Sequence, residues 1–159
     1  MTQAIIFSAT SLYLLPVALF IGYGIFSKQR KEFWILSFFV LPISYLFGVL
    51  ANHLIFDPRP FVVSNVIPLF PHIPDNGFPS DHALLTGTLA AIMLPFDGWL
   101  AALLWVLAFI IGAARVLAHI HHTIDILGSF FIALASFAAV QNALRRLRAK
   151  TLPPKREEK

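Results

Sequence analysis

Long runs without any charged side chain constrain this sequence more than any other feature. Residues 4–26 contain no acidic or basic residue, and as one α-helix they would be about 34 Å long. A helix of that length can cross the hydrocarbon core of a bilayer. Over the whole chain 58% of the residues are hydrophobic and 13% are charged, which is roughly half the charged fraction of an average soluble domain. We therefore expect a membrane protein.

Further apolar segments follow the first one along the chain. They occupy residues 33–56, 80–96, 99–118 and 122–143. A backbone surrounded by lipid must satisfy its own hydrogen bonds, so each segment is expected to be a helix. Residues 57–79 contain six prolines and are too broken to span. The sequence thus predicts an all-α fold, an integral membrane helical bundle of about five transmembrane helices with a proline-rich outer loop.

The basic residues predict how such a bundle sits in the membrane. Five spans would put residues 28–31 on the same side as the tail at 145–159, and that side carries ten of the twelve lysines and arginines. The side richer in basic residues is normally cytoplasmic. We expect a multi-pass protein of the cell membrane, with a membrane domain over residues 1–144 and a basic cytoplasmic tail over residues 145–159.

Composition excludes or disfavours several other classes of protein. The chain has no cysteine, so it has neither a disulfide nor a thiolate metal site. Its net charge of +4 is compatible with nucleic-acid binding, but the basic tail ends a membrane helix, where anionic lipid headgroups are the expected partners. The first basic residue is Lys28, so the first apolar run lacks the basic start of a signal peptide and is expected to be a true span.

Three polar clusters interrupt the apolar sequence. They are Asp57-Pro58-Arg59-Pro60, Pro79-Ser80-Asp81-His82, and Arg115 with His121 and Asp125. Ionisable groups beside membrane-length segments are costly, and they are therefore candidates for function. The five-span topology places all three clusters at the outer face. Paired guanidinium groups suit a phosphate, and imidazoles can attack phosphorus or transfer protons.

The first two clusters each have a structural and a functional interpretation. Arg59 lies between two prolines that fix the backbone, and its side chain either reaches lipid headgroups or is aimed at an anion. Ser80 is a typical helix N-cap, and the helix that it starts offers unpaired N–H groups to an anion. One turn into that helix, His82 could give a proton to a leaving oxygen. Asp81 is expected to point outward.

The third cluster suggests a paired imidazole and carboxylate. His121 and Asp125 are four residues apart, which would put them on one face of a helix. A carboxylate that holds one imidazole nitrogen makes the other nitrogen more nucleophilic. Arg115, at the end of the preceding helix, could reach the same place. The alternative is an ordinary histidine-rich turn at the membrane surface.

A metal site is a further alternative for this region. His119 and His122, together with His121 and Asp125, offer nitrogen and oxygen ligands. Two arginines nearby favour an anion over a dication, so we expect neither a metal nor another cofactor. The histidines assigned instead to the membrane interface or to a supporting position are His53, His72, His119 and His122.

In order and spacing, the clusters resemble the motifs of the type 2 phosphatidic acid phosphatase superfamily, which includes vanadium haloperoxidases. The resemblance covers residues 52–125. It implies that His121 is the nucleophile and forms a phosphohistidine, that Asp125 orients it, and that His82 is the general acid. It also implies that no metal is needed, because charged side chains bind the phosphoryl oxygens. Those side chains, with the hydroxyl that assists them, are Arg59, Arg115 and Ser80.

The chain departs from the family pattern at three positions. Asn52 stands where the family has a lysine, although its amide could still donate a hydrogen bond to phosphate. Ala114 replaces a serine and Asp81 replaces a glycine. The combination of Pro-Ser-Asp-His with Pro-Arg-Pro-Phe is similar to undecaprenyl-diphosphate phosphatases of this superfamily. Many members have six helices, one more than we predict here.

The resemblance implies hydrolysis of a lipid-linked phosphate or diphosphate at the outer membrane face. The expected reaction is the conversion of undecaprenyl diphosphate to undecaprenyl phosphate, and the expected partners are this lipid and the bilayer, without nucleic acid. The alternatives are a phosphatidylglycerophosphate or phosphatidic acid phosphatase, and a catalytically dead lipid-binding or transport module in which Asn52 and Ala114 are signs of decay. A vanadate-dependent peroxidase is disfavoured, and the sequence leaves the oligomeric state open.

Overall fold

The protein is all-helical, as the sequence predicts. The computed structural model describes residues 1–64 and 66–151, and within these ranges it contains seven α-helices. They are α1 (Thr2–Thr10), α2 (Leu14–Phe26), α3 (Arg30–Leu54), α4 (Pro60–Val63), α5 (Asp81–Met93), α6 (Gly98–Leu117) and α7 (Thr123–Thr151). The last helix runs beyond residue 144, and residues 152–159 lie outside the described part. The boundary between domain and tail therefore stays a prediction.

The number of membrane-length helices is smaller than predicted. In the described ranges, α3, α6 and α7 are long and apolar enough to cross a membrane, and α1 with α2 makes a fourth candidate if the bent pair is one span. The predicted span at 80–96 is wrong as a membrane-length helix, because α5 has 13 residues and is only about 20 Å long. It packs against α3, α6 and α7, and ten of its residues are buried. Its apolar side chains face protein.

The first apolar run is broken, whereas the sequence suggested one helix over residues 4–26. The chain leaves helical geometry after Thr10 and resumes it at Leu14, and α1 and α2 meet at an angle of 41°. Pro16 gives a physical reason, because proline has no N–H to donate and is accommodated most easily in the first turn of a helix. Restarting the helix at Leu14 puts Pro16 in that first turn.

Side chains from five helices, α2, α3, α5, α6 and α7, form the main core. Its largest fully buried members include Phe33, Ile92, Met93 and Leu104. Large apolar side chains also remain exposed on the outside of the bundle, as expected for a surface in lipid. Examples are Phe38, Phe109 and Phe131, with 71%, 55% and 73% of their surface exposed. The multi-pass membrane prediction is confirmed at this level.

The two ends of the bundle differ in chemistry. At one end, a cleft of about 280 Å³ is lined by Gln29 and Glu32 at the start of α3 and by Arg145 and Arg148 of α7. The predicted basic segments are therefore neighbours at this end. The other end gathers the last turns of α3 and α6, the first turns of α5 and α7, and the loop at 55–80. All three polar clusters lie there.

Among the described residues between α3 and α5, α4 is the one helical turn, and the side chain of Asn76 forms hydrogen bonds near both ends of the segment. The amide nitrogen of Asn76 donates to the carbonyls of Asn52 (2.8 Å) and Ile55 (2.7 Å). Its amide oxygen accepts from the backbone N–H groups of Asp57 (2.9 Å) and Phe78 (3.1 Å). These bonds tie both ends of the loop to the end of α3.

The close approach of the loop to α7 depends on a glycine, which gives a test of the packing. A Cβ atom at Gly128 would overlap the ring of Phe78, whereas one at Gly22 would meet nothing within 4 Å. We expect Gly128→Ala to lower the free energy of unfolding by about 1–3 kcal/mol through overpacking. The matched variant Gly22→Ala should be neutral or stabilising by up to about 1 kcal/mol. Unfolding in detergent measures both, and equal stabilities would contradict this packing.

Candidate active site

His121 lies in the short turn that joins α6 to α7. Helix α6 ends where His119 adopts a left-handed backbone, with φ of 60°, a conformation that commonly terminates helices. The next residue, Ile120, is fully buried and anchors the turn. His121 follows with only 2% of its surface exposed. The turn therefore holds an imidazole inside the protein at the polar end of the bundle.

The predicted contact between His121 and Asp125 is present. Nδ1 of His121 lies 3.2 Å from Oδ2 of Asp125, in the first turn of α7. The same oxygen accepts the backbone N–H of His122 at 2.8 Å. The prediction that both side chains share a helical face is wrong in detail, because His121 precedes the helix. The turn brings the imidazole to the carboxylate instead.

Both predicted arginines bind the other nitrogen of His121. Nη1 of Arg59 lies 3.1 Å from Nε2, and Nη2 of Arg115 lies 3.2 Å from it. A guanidinium group has no acceptor, so Nε2 must carry the lone pair and Nδ1 the proton that is donated to Asp125. With 6% and 5% of their surfaces exposed, both arginines are buried. The site thus contains a neutral imidazole of defined tautomer between two fixed cations.

Backbone carbonyls and a loop carboxylate also accept hydrogen bonds from the two guanidinium groups. Arg59 also donates from Nη1 to the carbonyl of Ile120 (2.8 Å) and from Nε to Oδ1 of Asp75 (2.6 Å). Arg115 donates from Nη1 to the carbonyl of Ala9 at the end of α1 (2.9 Å). The N-terminal helix and the proline-rich loop therefore both help to position the arginines.

Ser80 occupies the N-cap position of α5, but its hydroxyl makes no capping bond, which corrects the expected capping role. The Ser80 Oγ and the Arg115 Nε are buried and have no hydrogen-bond partner among the described residues. Buried polar atoms are normally paired, so these two groups fit a polar ligand. A hydroxyl and a guanidinium N–H are both donors that suit phosphoryl oxygens.

Ser129 ties the start of α5 to the start of α7. Its hydroxyl accepts the backbone N–H of Ser80 at 2.9 Å and lies within bonding distance of the carbonyls of Ser80 (3.0 Å) and Asp125 (2.6 Å). Ser129 is itself fully buried. The N-terminus of α5 is thereby held at a fixed distance from the carboxylate that orients His121.

His82 and Asn52 occupy different parts of this region. His82 is half-buried in the first turn of α5, close enough to Arg115 and His121 to interact with both electrostatically. Its ring packs edge-on against the ring of Tyr13, with 4.8 Å between the ring centroids and an interplanar angle of 84°. Tyr13 lies at the break between α1 and α2. The Asn52 amide donates to the carbonyl of Phe78 at 2.8 Å and so supports the loop. A phosphate-binding role for Asn52 stays a prediction. The side chain of Asp81 is exposed, as expected.

The electrostatics of the turn and loop favour an uncharged imidazole at His121 beside two positively charged side chains. Burial lowers the pKa of His121, and the charges of Arg115 and Arg59 lower it further. Burial and the neighbouring Asp125 raise the pKa of Asp57. For Asp75, burial opposes ionisation, but the hydrogen bond and charge of Arg59 outweigh it and hold the pKa below its usual value. Asp75 is therefore a stable anionic partner for Arg59.

One group of side chains could hold a metal ion. Potential ligand atoms of Asp57, His122 and Asp125 lie within 4.8 Å of one another. This set differs from the one suggested by the sequence, which included His119 and His121. The set is already bonded internally, since Nδ1 of His122 lies 3.1 Å from Oδ2 of Asp57. The guanidinium of Arg59 also acts electrostatically on Asp125, which disfavours a dication there.

Sequence reasoning missed four contributors to the site. The spacing of Ser129, four residues after Asp125, places both on one helical face and could have identified it. Asp75 was recognisable only as one more carboxylate in the loop. The carbonyl of Ala9 carries no side-chain signal, and Tyr13 lay in a segment that we expected to be a plain membrane helix.

The family model of the PAP2 superfamily matches residues 32–148, and the chain belongs to this superfamily. The family resemblance drawn from the three polar clusters is therefore confirmed. The matched region includes both arginines, both histidines and the carboxylate of the site. It does not include Ala9 or Tyr13.

Three curated relatives are similar in sequence. Undecaprenyl-diphosphatase BcrC of Bacillus subtilis (strain 168) is 38% identical over 58% of this chain, and bacitracin transport permease protein BcrC of Bacillus licheniformis is 26% identical over 79%. YbjG of Escherichia coli (strain K12) is 31% identical over 64% of this chain. The chain spans 50%, 62% and 52% of the lengths of these three proteins.

Two crystal structures share the fold. LpxE of Aquifex aeolicus superimposes with a TM-score of 0.70 at 22% identity, covering 89% of this chain and 83% of that protein. A PAP2-type phosphatidylglycerolphosphate phosphatase of Bacillus subtilis superimposes with a TM-score of 0.61 at 22% identity, covering 99% and 78%. At this identity the likeness establishes the architecture of a transmembrane helical phosphatase fold.

The bond between Ser129 and Ser80 can be tested against a matched serine. Ser129→Ala leaves the buried N–H of Ser80 without an acceptor, so we expect a loss of about 1–3 kcal/mol in the free energy of unfolding. Ser136 lies on the same helix and donates only to the carbonyl of Ile132 within it, at 2.7 Å. Ser136→Ala should cost no more than about 0.5 kcal/mol. Denaturant unfolding in detergent micelles distinguishes the two, and equal losses would contradict a special role for Ser129.

Proposed function

We propose that this protein is a lipid phosphatase that hydrolyses a lipid-linked phosphate or diphosphate, with undecaprenyl diphosphate as substrate and undecaprenyl phosphate as product. The observation that carries the proposal is the buried Nε2 of His121, held between two guanidinium groups and oriented through Nδ1 by Asp125. The unpartnered Ser80 Oγ and Arg115 Nε add donors for an oxyanion. The similarity to a protein named undecaprenyl-diphosphatase supports the choice of lipid.

In the first chemical step, His121 attacks the terminal phosphorus of the lipid diphosphate. The entering phosphoryl oxygens take over the N–H groups that Arg59 and Arg115 direct at Nε2, which frees the lone pair of that nitrogen. A bond forms between Nε2 and phosphorus while the bond from phosphorus to the bridging oxygen breaks. The negative charge of the bound diphosphate favours the protonated form of His82, which donates its proton to the departing lipid monophosphate. The arginines stabilise the charge on the transferred group.

In the second step, water releases the phosphate from the enzyme. His82, now neutral, accepts a proton from the attacking water as its oxygen bonds to phosphorus. The bond between Nε2 and phosphorus breaks, and the electron pair returns to His121. Asp125 keeps the imidazole in the same tautomer through both steps. Inorganic phosphate leaves and His82 is protonated again for the next cycle.

The same proposal includes the orientation of the protein in the membrane. The basic ends of α3 and α7 are neighbours, and positively charged segments normally face the cytoplasm. The polar clusters at the other end of the bundle then lie at the outer face. We propose that the headgroup of the lipid enters there while its tail stays in the bilayer along the exposed apolar helices.

The main test is phosphate release by the purified protein from undecaprenyl diphosphate. We expect His121→Ala to reduce kcat at least about 1,000-fold, because the variant lacks the attacking nitrogen. His53→Ala is the matched control, since His53 is exposed near the end of α3 and bonds only to the carbonyl of Val49, at 2.7 Å, within its own helix. Full activity in the His121 variant would refute the proposed nucleophile.

A parallel assay decides among lipid substrates. Phosphatidylglycerophosphate and phosphatidic acid are the competing headgroups, and the highest kcat/KM identifies the preferred one. Release of phosphate from none of the three lipids would refute the enzyme assignment. The alternative is a lipid-binding or transport module, and the relative from Bacillus licheniformis is named a bacitracin transport permease protein. Such a module should bind undecaprenyl diphosphate equally well before and after His121→Ala and release no phosphate in either form.

Independence from metal ions is part of the proposal, because two arginines supply the positive charge that a metal would otherwise provide. We expect a chelator to leave phosphate release unchanged and vanadate, a phosphate mimic that accepts a fifth ligand, to inhibit it. Loss of activity with the chelator, restored by a divalent cation, would instead assign a role to Asp57, His122 and Asp125 as ligands.

A further inference from the structure

A third imidazole reaches the site from the proline-rich loop, outside the motifs that define the family resemblance. The ring centroid of His72 lies 6.5 Å from that of His121, at an interplanar angle of 82°. Phe61 and Phe70 flank the ring, with centroids at 6.5 and 6.3 Å. The sequence assigned His72 to the membrane interface or to a supporting position, and the structure places its ring next to the ring of His121.

The loop on both sides of His72 is docked onto the site. On one side, the backbone N–H of Leu69 donates to the carbonyl of Ala118 at 3.2 Å, and Leu69 packs against the buried cluster that contains Ala118 and Ile120. On the other side, Asp75 binds Arg59 at 2.6 Å. Both anchors belong to the elements that hold His121. The position of His72 is therefore coupled to the geometry of the nucleophile.

The ring of His72 has bonding capacity that the rest of the protein does not use. Its Nδ1 is buried and has no hydrogen-bond partner among the described residues. Burial lowers the pKa of His72 and the charge of Arg59 lowers it further, against a smaller opposing effect of a backbone hydrogen bond with Ile73, so the ring is neutral in the free protein. A nearby phosphate would favour the protonated form and strengthen the interaction.

A diphosphate substrate carries a second phosphate that also needs donors. In the proposed mechanism, the two arginines and Ser80 bind the phosphoryl group that is transferred. The phosphate that leaves with the lipid receives a proton from His82, and a further donor would stabilise it because its charge increases as the bridging bond breaks. The family lysine is absent, and the Asn52 amide that replaces it donates to the carbonyl of Phe78.

We propose that His72 binds the leaving phosphate of a diphosphate substrate and so favours lipid diphosphates over lipid monophosphates. This inference rests on the proposed phosphatase function. The competing explanation is that the ring only fills space between Phe61 and Phe70.

The variant His72→Phe separates these explanations because it keeps an aromatic ring in the loop and removes both nitrogens. Farnesyl diphosphate and farnesyl monophosphate share one tail and serve as the substrate pair. We expect kcat/KM for the diphosphate to fall at least about tenfold and that for the monophosphate less than about threefold. His72→Gln, which retains an N–H donor, should recover part of the diphosphate activity. His53→Phe is the control and should change neither value.

Ligand binding gives a measure that does not depend on turnover. We expect methylenediphosphonate, a non-hydrolysable diphosphate, to raise the Tm of the wild-type protein more than orthophosphate does at equal concentration. His72→Phe should abolish this difference. Equal stabilisation of the wild type by both anions, or an equal fall of kcat/KM for both farnesyl substrates, would overturn the role of His72. Absence of phosphate release by the wild type would instead refute the phosphatase assignment, while the Tm comparison still tests His72.

Discussion

Two guanidinium groups buried against one imidazole nitrogen impose most of the other features of this site. Their charges repel each other, and each must exchange water for protein acceptors. Arg59 uses a loop carboxylate and the carbonyl of Ile120, and Arg115 uses the carbonyl of Ala9. The N-terminal helix, the proline-rich loop and the turn after α6 therefore converge at one point. Two buried donors there, the hydroxyl of Ser80 and Nε of Arg115, have no partner among the described residues, and such donors suit an oxyanion.

Much of this arrangement could be predicted because charges are scarce in an apolar sequence. An arginine or histidine beside a membrane-length segment is too costly to be incidental, and topology places three such clusters at one face. The spacing of His121 and Asp125 was enough to predict their contact, although a turn and not a helix face brings them together. The two arginines were predicted to meet a phosphate, and their shared contact with His121 fits that role.

Other features were beyond hydropathy and motif spacing. An apolar segment has the same composition whether it faces lipid or protein. Hydropathy therefore predicted a membrane-length helix at α5, which is a short helix whose apolar side chains are buried by protein. Pro16 was visible in the sequence, but its effect on the first run depends on where the helix can restart. Ser80 has the sequence signature of a cap, yet its hydroxyl is left free of the helix. Backbone acceptors such as that of Ala9 have no signature at all.

The acceptor at Ala9 has a consequence for what counts as a minimal catalytic unit. The region that matches the superfamily begins at residue 32, and every side chain with a proposed chemical role lies within it. A fragment trimmed to that boundary would retain the complete set of motifs and still deprive Arg115 of one of its acceptors. A chain can therefore carry all of the superfamily motifs and still lack an intact site, because the site also depends on a backbone carbonyl of the N-terminal helix.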